Sequence, residues 1–197
     1  ASASHIRQLL RQGGGGEALA FLPPGAAEVL LRELAAGRIA DGALVERAIL
    51  ARLRQMTEEK FAAYDGGGEG LYHRVYDAVR RCATVEELLA AVKTKRYTAA
   101  RLRRMVLSAW LGLSKAPETV PYARVLAANE TGRALLRQMR KAGAPVLTKA
   151  ADVAALGSGA EALFRREAGY TDLYTLAYTD LAQAVPGSDW RLTPMMK

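Results

Sequence analysis

The fold is decided by residues 84–113, which read TVEELLAAVKTKRYTAARLRRMVLSAWLGL. Thr84 and Glu87 form a capping-box pattern, a hydroxyl at the N-cap with a carboxylate three residues on, and this pattern opens a short helix. A second helix follows, because apolar side chains recur at helical spacing from Leu102 to Leu113. Two amphipathic helices in succession predict a mainly α, multi-helix domain.

Helical periodicity continues on both sides of this stretch. Further helices are expected over about 5–11, 24–36, 44–56, 71–81, 130–141, 150–156 and 160–181. Ser4 is the expected cap of the first helix, and the glycines of 13–16 are expected to end it and to form a flexible joint. Residues 122–127 and 145–148 are short enough to be strands, which allows a small two-strand βαβ-like insert.

Composition excludes several classes of protein. The chain has 197 residues, 50% of them hydrophobic, and a formal charge of +8. Its uncharged apolar runs fall far short of the roughly 20 residues that a membrane span needs. Cys82 is the single cysteine, which excludes an internal disulfide, and no export signal opens the chain. We therefore expect a cytoplasmic protein that is not inserted in a membrane.

The positive charge is concentrated in one block. Residues 71–110 hold nine basic and three acidic side chains, so this block carries +6 of the net +8. Tyr72, Tyr76 and Tyr97 are interleaved with the cations, an arrangement that suits contact with a phosphate backbone and stacking on bases. The alternatives are a solvated basic face and a helical scaffold that meets an acidic protein.

Reactive groups are scarce. His5 and His73 are the only histidines, so no zinc triad and no H-E-x-x-H motif can form. The two glycine runs lack the spacing of a phosphate-binding loop, and Cys82 is expected to be structural. The sequence therefore predicts no catalytic residue and no metal site in this chain.

Several segments resemble a known family. Residues 2–7, SASHIR, resemble the S-[SA]-[ST]-x-I-R element that closes the catalytic domain of nucleotidyltransferases of the His-x-Gly-His class. Four further segments are similar in order and spacing to the C-terminal half of the bacterial tRNA(Met) cytidine acetate ligase family. They are Glu69-Gly70-Leu71, residues 93–98 with Arg101, residues 122–126 and residues 171–174.

The resemblance implies a function. That family uses ATP, with magnesium, to activate acetate as acetyl-adenylate, and it acetylates the wobble cytidine of elongator methionine tRNA to N4-acetylcytidine. Residues 1–16 would end the nucleotidyltransferase domain and its linker, and residues 17–197 would form a helical tRNA-binding C-terminal domain. Because the chain has no His-x-Gly-His motif, we expect its first helix to be the closing helix of a missing α/β nucleotidyltransferase domain. The chain alone would then be inactive without that upstream domain as partner.

The resemblance also assigns site residues. Ser4 and Arg7 match the ATP-binding element. The tRNA would be held by a set that includes the basic turn, by which we mean residues 93–101. The set comprises Lys93, Lys95, Arg96, Tyr97, Arg101 and Arg104. Glu69 and Gly70 match a motif that we interpret as packing or positioning. The alternative is a stand-alone helical RNA-binding or ribosome-associated module without catalysis.

Overall fold

A computed structural model of the chain describes residues 2–64, 70–113 and 119–197. The helices in these ranges are α1 (Ala3–Arg11), α2 (Gly15–Leu19), α3 (Pro24–Ala35), α4 (Glu46–Arg54), α5 (Glu58–Ala62), α6 (Leu71–Arg81), α7 (Val85–Val92), α8 (Ala99–Leu111), α9 (Glu130–Lys141), α10 (Ser158–Thr175) and α11 (Ser188–Arg191). The strands are β1 (Ala123–Arg124), β2 (Ala127–Ala128), β3 (Val146–Leu147) and β4 (Met195–Met196). Two 3₁₀ helices cover Ala150–Leu156 and Leu181–Gln183. No helix in the described ranges is long and apolar enough to cross a membrane.

The first helix begins earlier than the sequence predicted. Ser2, not Ser4, is its N-cap, because the Ser2 hydroxyl accepts a hydrogen bond from the His5 amide at 3.2 Å. Gly13, at φ +79°, ends the helix as expected. The predicted joint is shorter than four residues, since α2 already begins at Gly15 and the amide of Gly14 donates to the Leu9 carbonyl at 2.8 Å.

Helices α4, α6, α7 and α8 pack around one apolar core. The buried stripe predicted for α6 is confirmed, since its buried side chains are those of Leu71, Val75, Ala78 and Val79. In α8 the predicted stripe is buried except at its end. Leu113 lies beyond the helix and is 40% exposed.

The capping box at the start of α7 is confirmed. The Thr84 hydroxyl accepts from the Glu87 amide at 3.1 Å. The Glu87 carboxylate reaches back to the amide of Ala83, one residue before the cap, at 2.8 Å. Two amides at the helix start are thereby satisfied, which fixes where α7 begins and hence where the basic turn after it lies.

The small insert is also found. Strands β1 and β3 pair in parallel, with Ala123 opposite Val146, and α9 runs between them in the chain. A second parallel pair, β2 with β4, joins the end of the chain to the start of this insert, and the sequence did not indicate it. A second apolar core lies beside the insert, with Leu147 and Phe164 each 1% exposed.

An antiparallel contact joins the segment after α3 to the segment after α10. The Asp41 amide donates to the Ala177 carbonyl at 2.7 Å, and the Asp180 amide donates to the Gly37 carbonyl at 3.0 Å. Ala40 and Tyr178 form the bridge between the two segments. Backbone hydrogen bonds therefore hold residues 37–41 against residues 177–180.

Other expectations differ in detail. Helix α5 was not predicted, residues 150–156 form a 3₁₀ helix, and α10 ends at Thr175 rather than near residue 181. The motif residue Glu69 and the glycines of 66–68 lie outside the described residues.

Candidate nucleic-acid interface

The two residues matched to ATP binding lie together on α1. Ser4 and Arg7 are exposed, and the Arg7 guanidinium donates to the Ser4 hydroxyl at 3.5 Å. Arg7 also lines a cavity of about 240 Å³ with Arg11 and Asp41, whose side chains are 4.0 Å apart. The arrangement places two guanidinium groups at one edge of a concave surface.

The basic turn is ordered by two threonines. The Thr94 hydroxyl accepts from the amides of Arg96 and Tyr97, each at 3.2 Å. Thr98 caps α8 by accepting from the Arg101 amide at 3.3 Å. Backbone amides in this short segment are thus held by side chains, so the turn has one defined shape.

The cations of the turn face outward. The side chains of Lys93, Lys95 and Arg96 are exposed, and Arg101 is half-buried at the start of α8. Arg104 lies one turn further along the helix and is exposed. The structure therefore brings the five predicted cations to one turn and the first two turns of one helix.

Tyr97 belongs to the core rather than to the surface. Its residue is 5% exposed and packs in the helical core, with the guanidinium groups of Arg96 and Arg101 at 5.8 and 5.4 Å from the ring centroid. A buried ring cannot stack on a base, so the stacking role expected of Tyr97 does not fit. The ring instead makes cation–π contacts with the two arginine side chains.

The other two tyrosines of the block are half-buried and in contact with protein groups. The Arg80 guanidinium lies 3.2 Å from the centroid of the Tyr76 ring, whose edge meets Phe61. The Tyr72 ring lies 3.9 Å from that of His73, and the His73 Nδ1 pairs with the Glu58 carboxylate. The rings that were expected to stack on bases thus contact other side chains of the protein.

Two ionisable groups in the described ranges have strongly shifted pKa values. Hydrogen bonds from Arg38 and Arg32 lower the pKa of Glu33 to about 2. Burial, together with a 2.7 Å hydrogen bond to Glu167, raises the pKa of Tyr122. The Glu33 bonds are local in sequence, whereas the Tyr122 bond to Glu167 is a tertiary contact, and neither group lies in the basic turn.

Two features of the C-terminal part were not predicted from the sequence. The guanidinium of Arg124 pairs at 2.6 Å with Asp189, which is 7% exposed. Three arginines of α9 lie on one helix face, and their spacing of four and three residues could have shown this. They are Arg133, Arg137 and Arg140. Within the described residues no three metal-ligating side chains come together.

Comparisons with known proteins match almost the whole chain. A family model described as HIGH Nucleotidyl Transferase matches residues 1–187. The tRNA(Met) cytidine acetate ligase of Thermoanaerobacter sp. is 34% identical over 134 residues, 66% of this chain and 32% of that protein. The protein of the same name from Acetivibrio thermocellus is 28% identical, covering 96% of this chain and 49% of that protein. This chain thus spans 32% of the length of the first of these relatives and 49% of the second.

Solved structures show the same fold. A crystal structure of Thermotoga maritima TmcAL bound with alpha-thio ATP matches with a TM-score of 0.87 at 24% identity, covering 100% of this chain and 52% of that one. An apo form of the same protein matches with a TM-score of 0.88.

These matches correct one expectation. The prediction that the nucleotidyltransferase domain is missing, and that only its closing helix is present, is wrong. The family model extends from residue 1 to residue 187, and the likeness of fold covers the whole chain. The structure gives the physical reason, because the predicted boundary after residue 16 falls within α2 and α1 packs directly against that helix.

Proposed function

Because the chain belongs to the HIGH nucleotidyl transferase family, we propose that it takes part in ATP-dependent acetylation of tRNA and that its own share is to hold the tRNA. The substrate would be elongator methionine tRNA, and the product N4-acetylcytidine at the wobble position. The names of the relatives support this proposal, since each is a tRNA(Met) cytidine acetate ligase. The reaction would take place in the cytoplasm.

The observation that carries the tRNA part is the shape of the basic turn. Threonine hydroxyls fix its backbone, and the buried Tyr97 ring lies beneath Arg96 and Arg101. Exposed cations on a fixed backbone suit phosphates, because the side chains release counterions on binding while the turn loses little conformational entropy. Contacts of this kind position an RNA without reading its bases.

We assign the nucleotide contact to Ser4 and Arg7. A guanidinium and a hydroxyl at the first turns of a helix can both bind phosphate oxygens, and the positive end of the helix dipole adds to this. The similar Thermotoga maritima structure is bound with alpha-thio ATP, which supports ATP as the nucleotide. Acetate would be the second substrate, with magnesium on the ATP phosphates.

Chemistry on the nucleotide is not assigned to this chain's own side chains. His5 and His73 are 68 positions apart, so they cannot form a His-x-Gly-His motif. We therefore expect that the chain incubated with ATP and acetate forms no acetyl-adenylate, while it still binds tRNA. A measurable ATP–pyrophosphate exchange that depends on acetate would contradict this part of the proposal.

The test is tRNA binding by paired variants in a salt series. Lys93→Gln with Lys95→Gln removes two exposed charges and should weaken binding several-fold, with the slope of log K against log salt falling by about 2. Arg96→Ala with Arg101→Ala should also weaken binding several-fold. Arg47→Gln with Arg52→Gln, on the exposed side of α4, removes the same charge elsewhere and is the control. Wild-type affinity in both basic-turn variants would exclude the turn as the tRNA contact.

A further inference from the structure

The insert around α9 carries a second concentration of positive charge. Residues 123–150 hold six basic side chains and one acidic one, Glu130 at the start of the helix. Most of the net charge lies in residues 71–110, outside this region. The function proposed above leaves these cations without a role.

Four of these cations line one groove. Arg133, Arg137 and Arg140 lie on a single face of α9, and Lys149 faces them from the segment after β3. The groove has a volume of about 380 Å³, and Pro194 and Met196 also line it, next to the pairing of β4 with β2. We call this surface the arginine groove.

In the part of the chain that the structure describes, no carboxylate neutralises the charges of the arginine groove. All four side chains are exposed, and among the described residues none of them forms an ion pair. Only Arg140 has a side-chain partner there, the Thr148 hydroxyl at 2.6 Å. Like charges at spacings of three and four residues repel on a helix, so a bound anion would relieve this repulsion.

A second, mostly apolar cavity adjoins the groove. Thr148, Lys149 and Pro194 line both. The second cavity measures about 280 Å³ and has Leu147 and Phe164 on its wall. Its size lies near the lower end of small-molecule pockets, about 300–1,000 Å³, which suits one flat ring system rather than a base pair.

We propose that the arginine groove and this cavity bind unpaired RNA, with phosphates on the arginines and a base in the cavity. The proposal rests on the RNA-binding function proposed above and adds a second contact surface to it. Guanidinium groups at rises of about 6 and about 4.5 Å along the helix can each contact a phosphate of a strand. A base leaves its stack at lower cost in a single-stranded segment than in a duplex, which is why an unpaired stretch fits better.

The experiment compares variants of the whole chain on three RNAs: the tRNA, an unstructured single-stranded 12-mer and a 12-base-pair duplex. Arg133→Gln with Arg137→Gln leaves the Arg140 bond to Thr148 intact and keeps the helix. It should weaken binding of the 12-mer about tenfold and lower its salt slope by about 1.4, from about 0.7 per phosphate contact. Circular dichroism and a melting curve confirm that each variant is folded. Lys149→Gln, from the opposite side of the groove, should weaken binding in the same direction.

The outcomes separate the two proposals. The control Arg47→Gln with Arg52→Gln should change 12-mer affinity less than twofold. Suppose Arg133→Gln with Arg137→Gln changes 12-mer affinity as little as this control does, while the basic-turn variant loses affinity for the tRNA. The proposed role of the arginine groove is then wrong, and the proposed function stands. If the wild-type chain binds no RNA, both fail. Wild-type binding of the duplex as tightly as the 12-mer would overturn the base pocket.

Discussion

At the scale of single residues, Tyr97 was expected on an RNA-stacking surface, but the structure places its ring in the apolar core. A tyrosine between lysines and arginines is typical of an RNA-stacking surface, and its position in the chain favoured that interpretation. Tyr97 is 5% exposed because its ring packs against helices that are distant in sequence. The spacing of neighbouring residues does not predict such contacts. The same holds for Arg124 and Asp189, which pair across 65 residues.

Substitution of Tyr97 tests this placement. Tyr97→Ala removes a buried ring and should lower the free energy of unfolding by about 3–5 kcal/mol, measured by urea denaturation. Leu107→Ala, on the exposed side of α8, is the control and should cost far less, since Leu107 is 46% exposed. A Tyr97→Ala protein of unchanged stability that no longer binds tRNA would place the ring at the RNA instead.

We predict that the ionisation of the Glu33 carboxylate makes the stability of the protein depend on pH. Its pKa is lowered from 4.5 to about 2 in the folded state, because Arg38 and Arg32 donate hydrogen bonds to it. A lowered pKa contributes stability above pH 4.5, and this contribution is lost as the pH falls toward 2. The stability difference between wild type and Glu33→Gln should therefore shrink over this window in urea titrations. Glu28→Gln, on the exposed face of the same helix, should show no such convergence.

At the scale of elements, helices with a complete local signal were predictable. The threonine cap and apolar stripe of α7, the stripe of α6 and the bounds of α9 follow from side-chain spacing alone. Helix α5 and the β2–β4 pair were missed, because five residues carry little periodicity and two-residue strands are defined by their partners. Within the candidate site, the cations of the basic turn were predictable from the sequence. The arginine groove was not, because its lining residues come from segments that only the fold brings together.

The junction between the segments after α3 and α10 depends on Gly37. This residue has φ +65°, and a Cβ added there would lie 2.5 Å from the Asp180 Cβ. Gly37→Ala should lower the free energy of unfolding by about 2–4 kcal/mol, from backbone strain and overpacking together. Gly42→Ala has no neighbour within 4 Å and is the matched control. Equal melting temperatures for the two variants would contradict the close approach at this junction.

At the scale of the whole molecule, the distribution of charge supports the proposed RNA contact. The formal charge of +8 is concentrated in the basic turn and its helix, with further cations around α9. The family of the chain was indicated correctly by short motifs, whereas the prediction of a missing nucleotidyltransferase domain was wrong. A six-residue element shows where a family motif lies, but only the match over residues 1–187 shows how far the family extends along the chain.

The central claim is that this chain binds tRNA through fixed surface cations. The most direct measurement is electrophoretic binding of the wild-type chain to elongator methionine tRNA, beside another tRNA and a duplex RNA, across a salt series. We predict tight binding at low salt, preference for tRNA over the duplex, and a steep loss of affinity as salt rises. Absence of binding at low salt would contradict it and would leave the basic turn as a solvated surface.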